Sequence, residues 1–81
     1  MQKVEVKIPR MGSNSEEATL LRWLKKEGEE VREGEPLAEM ETDKVNFELE
    51  APASGLLVEV KAEENQVIQF GELVAYIESS D

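Results

Sequence analysis

Apolar and polar residues alternate with a period of two along much of this chain, the pattern of strands with one face in a core and the other in water. From Lys3 to Ile8, Val4, Val6 and Ile8 share one face and Lys3, Glu5 and Lys7 the other. Val45, Phe47 and Leu49 alternate in the same way with Asn46, Glu48 and Glu50, and Met40 sits between Glu39 and Glu41. The stretch Leu56 to Lys61 is predicted to turn Val58 and Val60 inward and Glu59 and Lys61 outward. Thr19 to Lys25 is β-branched and apolar enough for a strand that sets Trp23, the only tryptophan, mainly against the core. Leu73 to Ile77 is nearly continuous apolar sequence, which predicts a strand buried on both sides.

Turn chemistry separates these segments. Pro9 ends the first strand, and Arg10 to Ala18 contains Gly12, Ser13, Asn14 and Ser15, a loop composition and a candidate recognition element. Glu27-Gly28-Glu29 and Glu33-Gly34-Glu35 read as tight turns around a short strand at Val31, with Pro36 closing the segment. Ala51-Pro52-Ala53-Ser54-Gly55 is a turn by composition, Asn65 is suited to a left-handed conformation, and Gly71 turns the chain after a short strand at Val67 and Ile68. An internal repeat joins the two halves. LKKEGEEVREGEPLAEME, Leu24 to Glu41, aligns with VKAEENQVIQFGELVAYIE, Val60 to Glu78, if one residue is inserted before Gly71. Two copies in so short a chain predict an all-β fold: two four-stranded antiparallel sheets, packed as a flattened barrel or sandwich with approximate two-fold symmetry.

Length and composition narrow the possibilities. Eighty-one residues make one domain, close to the size below which a core needs covalent or metal support. The chain has neither Cys nor His, so disulfides and zinc are excluded as supports and the core must suffice. No segment has the apolar length of a membrane span or the core of a signal peptide, so a soluble protein of a reducing compartment is expected. The net charge of −10 argues against nucleic-acid binding and favours a basic protein surface as partner. Nothing resembles a self-sufficient active site: no phosphate-cradling glycine loop, no nucleophile beside a base, only carboxylates spread along strands.

One position is poorly explained by folding alone. A two-residue hairpin of type I′ needs positive φ at both central residues and selects Asn-Gly or Asp-Gly, whereas the bend between Met40 and Phe47 falls on Asp43 and Lys44. From Glu33 to the end there are thirteen acids and only two cations, Lys44 and Lys61, and Glu41, Asp43 and Glu48 lie near Lys44 in sequence. Such surroundings favour the protonated amine, which does not suit a Schiff-base nucleophile. They do suit an acceptor loaded by a separate enzyme with an activated carboxyl donor, which requires exposure and a fixed position. A solvated turn lysine on an unmodified β-sandwich interaction module is the bland alternative.

The run ETDKV followed by FELEAPASGLLVEV resembles the lipoyl domain of the acyltransferase component of 2-oxo acid dehydrogenase complexes, over nearly the whole chain. The resemblance implies that lipoic acid is amide-linked to Lys44 at a hairpin tip, with Asp43 and Val45 as flanking recognition residues. It implies an acyl and electron carrier between a thiamine-dependent 2-oxo acid dehydrogenase, the acyltransferase core and dihydrolipoamide dehydrogenase, loaded by a lipoate ligase or lipoyl transferase. Glu41, Asp43 and the loop residues Gly12 to Ser15 are then candidate partner contacts, and both termini are expected at the end away from the lysine. The related biotin carrier places its lysine between methionines, as in AMKM, where this chain has Asp43 and Val45. The glycine-cleavage carrier shares fold and cofactor but is longer. By the same resemblance, residues 1–81 are expected to be the N-terminal domain of a longer acyltransferase chain, in the cytoplasm or, in a eukaryote, the mitochondrial matrix. The family typically has glycine where this chain has Ala18.

Overall fold

Eight strands carry the regular structure of the computed structural model, which describes residues 2–8 and 17–79. They are β1 Gln2–Lys7, β2 Glu17–Trp23, β3 Glu30–Val31, β4 Pro36–Glu41, β5 Asn46–Glu50, β6 Gly55–Val58, β7 Val67–Gln69 and β8 Leu73–Ser79. One sheet has the order β1-β8-β6-β3 and the other β5-β4-β2-β7. Every pairing is antiparallel. Exchanging β1 to β4 with β5 to β8 converts one order into the other, which is the expected two-fold relation.

The repeat extends to individual hydrogen bonds. Leu57 exchanges backbone bonds with Gly28 and Glu29, as Leu20 does with Asn65 and Gln66. Gly34 donates to Ala51 as Gly71 donates to Ile8, and Leu24 donates to Leu37 as Lys61 does to Val74. Four turns close alike: the amides of Lys26, Arg32, Glu63 and Gln69 each donate to the side chain three residues on, Glu29, Glu35, Gln66 and Glu72. Gly28 thus corresponds to Asn65 and Gly34 to Gly71 with no residue inserted between. The expected insertion before Gly71 is wrong, because it equates Val31 with Val67, whereas the buried partner of Val31 by symmetry is Ile68.

Both sheets supply one core. Leu20, Leu37, Met40, Leu57, Ile68, Val74 and Ile77 are fully buried, and they fall into related pairs such as Leu20 with Leu57 and Met40 with Ile77. At about 2 kcal/mol for each such side chain removed from water, this core is the main source of stability in a chain without cross-links. Trp23 packs half-buried against it and donates Nε1–H to the Ala62 carbonyl at 2.9 Å. At the surface, Glu35 accepts the Arg32 amide at 2.9 Å and pairs with Lys25 at 3.0 Å, which together hold its carboxyl below the usual range.

Several local expectations are corrected. In β6 the inward residue is Leu57, fully buried, while Val58 shares the outer side with Leu56, which is 42% exposed. The strand ends there because Glu59 takes φ 50, and this left-handed residue resets the alternation so that Val60 turns back against the core. Asn65 does adopt the left-handed conformation, at φ 69. The strand β8 is not buried on both sides throughout. Val74 and Ala75 are consecutively buried where a bulge interrupts pairing with β1, but Tyr76 and Glu78 beyond it are only partly covered. Finally, Ala18 is no loop residue: it is a buried strand position paired with Ile68.

Candidate functional site

The hairpin joining β4 to β5 is anchored before it projects. Met40, fully buried, pairs with Phe47, which packs half-buried against the core. The next rung, Glu41 with Asn46, has both residues exposed, and the four residues Thr42 to Val45 form the loop beyond it. Each strand thus has its last core anchor two residues from the loop, with one exposed rung between.

The loop resolves the difficulty raised by Lys44. Neither Asp43 nor Lys44 has positive φ, so the turn is not of type I′ and needs no glycine. Closure comes instead from Thr42. Its amide donates to the Val45 carbonyl at 2.8 Å, and its hydroxyl donates to the same oxygen at 3.1 Å. The hydroxyl oxygen in turn accepts the amides of Val45 at 3.0 Å and Lys44 at 3.3 Å. A short hydroxyl side chain thereby takes the place of a backbone acceptor, as Ser and Thr do in turns. Thr42 is the site residue that sequence reasoning missed. The signal was there, a Thr two residues before the lysine, but its role emerges only once the loop is known to have four residues.

At the tip Asp43, Lys44 and Val45 are all exposed. Val45, in phase with Phe47 and Leu49, is expected from the alternation on the half-buried face. It lies instead in the loop, 47% exposed, because β5 begins only at Asn46. Among the described residues the ion pairs are Lys3–Glu59, Lys7–Glu5, Arg22–Glu39 and Lys25–Glu35, and neither Lys44 nor Glu41, Asp43 or Glu48 takes part in one. The Lys44 amine therefore stands free of the acids near it in sequence. An amine so placed is accessible, and joining it to a carboxyl would break no ion pair.

The remaining candidates divide by position. Gly12, Ser13, Asn14 and Ser15 lie outside the described residues. The strand that follows them starts at Glu17, and its Thr19 pairs with Glu41, so the chain re-enters the sheet beside the hairpin. At the other end, Ser79 pairs with both Gln2 and Gly55, and Gly55 follows the turn that leaves β5 at its end remote from Asn46. The first and last strands thus meet away from Lys44.

The sequence model of the family described as "Biotin-requiring enzyme" matches residues 4–77. Over 73 residues the chain is 44% identical to the dihydrolipoyllysine-residue succinyltransferase component of the 2-oxoglutarate dehydrogenase complex of Bacillus subtilis, covering 90% of this chain and 18% of that protein. It is 40% identical over 76 residues to the dihydrolipoyllysine-residue acetyltransferase component of the pyruvate dehydrogenase complex of Corynebacterium glutamicum, covering 94% of this chain and 11% of that one. The chain thus spans less than a fifth of either relative. Among solved structures, the lipoyl domain of the 2-oxoglutarate dehydrogenase complex from Azotobacter vinelandii superposes with a TM-score of 0.74 at 32% identity, covering 95% of this chain and 99% of that domain. The match in fold extends over a whole lipoyl domain, and the match in sequence recurs in acyltransferase components of more than one complex. The chain belongs to the biotin- and lipoyl-attachment family and is a lipoyl domain of the kind found in the acyltransferase components of 2-oxo acid dehydrogenase complexes.

Proposed function

We propose that Lys44 is the attachment point of lipoic acid and that the domain carries the group between active sites that it does not itself contain. The observation that supports this most directly is the exposed, unpaired Lys44 amine on a hairpin whose base is anchored in the core. In attachment, the unprotonated Nζ attacks the carbonyl carbon of an activated carboxyl such as an acyl adenylate. A C–N bond forms, the bond to the adenylate leaving group breaks, and the nitrogen gives up a proton. When bound, the group supplies a redox-active disulfide at the end of a flexible arm, the chemistry needed to carry acyl groups and electrons. The chain's part is to hold that arm away from the sandwich and to raise its effective concentration at each partner.

The proposed partners are a thiamine-dependent 2-oxo acid dehydrogenase, an acyltransferase core and dihydrolipoamide dehydrogenase, with a lipoate ligase or lipoyl transferase for loading. Glu41 and Asp43, both exposed beside the lysine, present negative charge to a basic docking surface. The cytoplasm, or the mitochondrial matrix in a eukaryote, is the proposed setting. Biotin as the cargo is disfavoured by Asp43 and Val45, which stand where methionines flank the biotinyl lysine. Parallel incubation with lipoate ligase and with biotin ligase, read by intact mass, separates the cargoes. Lipoylation of the unmutated chain and none of Lys44→Gln supports the proposal, and biotinylation alone contradicts it.

A further inference from the structure

We infer that Thr42 is the positioning residue of the attachment site: its hydroxyl holds Lys44 in the one backbone presentation that the attaching enzyme accepts. The inference rests on Lys44 being the attachment point. The hairpin tip lies beyond the last core anchor, the rung of Met40 and Phe47, so packing does not fix its conformation. Thr42, Lys44 and Val45 are held by four bonds among themselves, and the Thr42 side chain makes three of these: to the Val45 carbonyl, the Val45 amide and the Lys44 amide.

Four other turns among the described residues are closed by a different device. At Lys26, Arg32, Glu63 and Gln69 the acceptor is a long Glu or Gln side chain three residues further on, reaching back to the first amide. At the hairpin the acceptor is the first residue, and it reaches forward to the lysine's own amide. A long side chain at the fourth position would stand beside the lysine, and Val45 leaves that side open. Threonine is also stiff at χ1 through its β-branch, so the hydroxyl is held in place with little entropy left to lose. An enzyme that threads one lysine toward an activated carboxyl depends on the base of that side chain being fixed.

Removing the hydroxyl lets the tip sample several conformations, only some of them competent. Apparent affinity then falls by the competent fraction, while the rate for the bound, correctly placed lysine is preserved. The test measures kcat and KM of a lipoate ligase, with lipoate and ATP, on the unmutated chain and on Thr42→Val, Thr42→Ser and Trp23→Phe. Trp23→Phe removes the bond to Ala62 and serves as a control for a destabilisation away from the tip. Thr42→Val is expected to raise KM about tenfold with kcat within about twofold. Thr42→Ser is expected to restore KM to within about twofold, and Trp23→Phe to leave both constants unchanged. Amide exchange without enzyme should quicken at Lys44 and Val45 in Thr42→Val and stay unchanged at Leu20. A KM for Thr42→Val within twofold of the unmutated chain, or an equal rise in Trp23→Phe, overturns the inference. No loading of the unmutated chain overturns the attachment reading, and this inference with it.

Discussion

Val45 gives its amide to the hydroxyl of Thr42 at 3.0 Å and accepts the amide of Thr42 at 2.8 Å, so these two residues close the loop that bears Lys44. Each bond is exposed, and an exposed hydrogen bond contributes at the low end of the usual range. Thr42→Val removes three such bonds and is therefore expected to cost about 1.5 kcal/mol in urea unfolding, with the slope on denaturant unchanged. Thr42→Ser should cost less than half of that. A loss above about 3 kcal/mol would mean that the tip supports the core, contrary to the anchoring at Met40 and Phe47.

Gly55 marks the tightest backbone approach among the described glycines. A Cβ there would lie 2.1 Å from the Glu78 carbonyl oxygen and 2.8 Å from its carbon, both backbone atoms that cannot rotate aside. The related position in the other half is Ala18, which pairs with Ile68 as Gly55 pairs with Val31, but the pairing of β2 with β4 begins only at Thr19, and Ala18 carries its methyl group buried. Gly55→Ala is expected to destabilise by about 3 kcal/mol or more, seen as a fall in melting temperature or failure to fold. Unchanged melting would show that β6 and β8 lie further apart than described.

Acid should reveal the turn at Arg32–Glu35. The Glu35 carboxyl is held below the usual range by the Arg32 amide and then by Lys25, so it binds a proton more readily in the unfolded chain than in the folded one. Its contribution is fully present above the ordinary glutamate range and is lost as pH falls through its own lower value. Glu59 behaves in the same direction through Lys3. Glu35→Gln keeps an acceptor for the turn, as Gln66 provides at Glu63. The difference in stability between the unmutated chain and Glu35→Gln should therefore shrink on acidification. A difference independent of pH would remove the carboxylate from the account.

How far the fold could be read from sequence follows from which residues carry local signals. Asn65 was legible as left-handed because its short amide side chain tolerates that conformation, whereas Glu59, at φ 50, belongs to a residue type that ordinarily avoids it. That one residue broke the period-two reading and exchanged Val58 for Leu57 as the buried residue. The repeat was visible in composition, but Val31 resembles Val67 in type and Ile68 in burial, and only burial decides the register. At the site, Lys44 stood out because turn chemistry did not account for it. Thr42 did not, because its hydroxyl acts across a loop whose length the strand pattern underestimated by assigning Val45 to β5.

Charge near the tip should affect encounter more than stability. Glu41 and Asp43 are exposed and make no ion pair among the described residues. The double variant Glu41→Gln, Asp43→Asn is expected to slow acylation by a 2-oxo acid dehydrogenase about tenfold at low salt, and to differ little from the unmutated chain near 1 M salt, where charge is screened within about 3 Å. Its melting temperature should stay within about 2 °C. Equal rates at low salt would remove the steering role.

The central claim is most directly tested by mass spectrometry of the protein made in cells supplied with lipoate and a lipoate ligase, with the modified residue located by peptide mapping. One lipoyl group on Lys44, and none when Lys44→Arg keeps the charge and the fold, is the result expected. A lipoyl group on Lys61 or another lysine, or a folded chain that takes none, would contradict it.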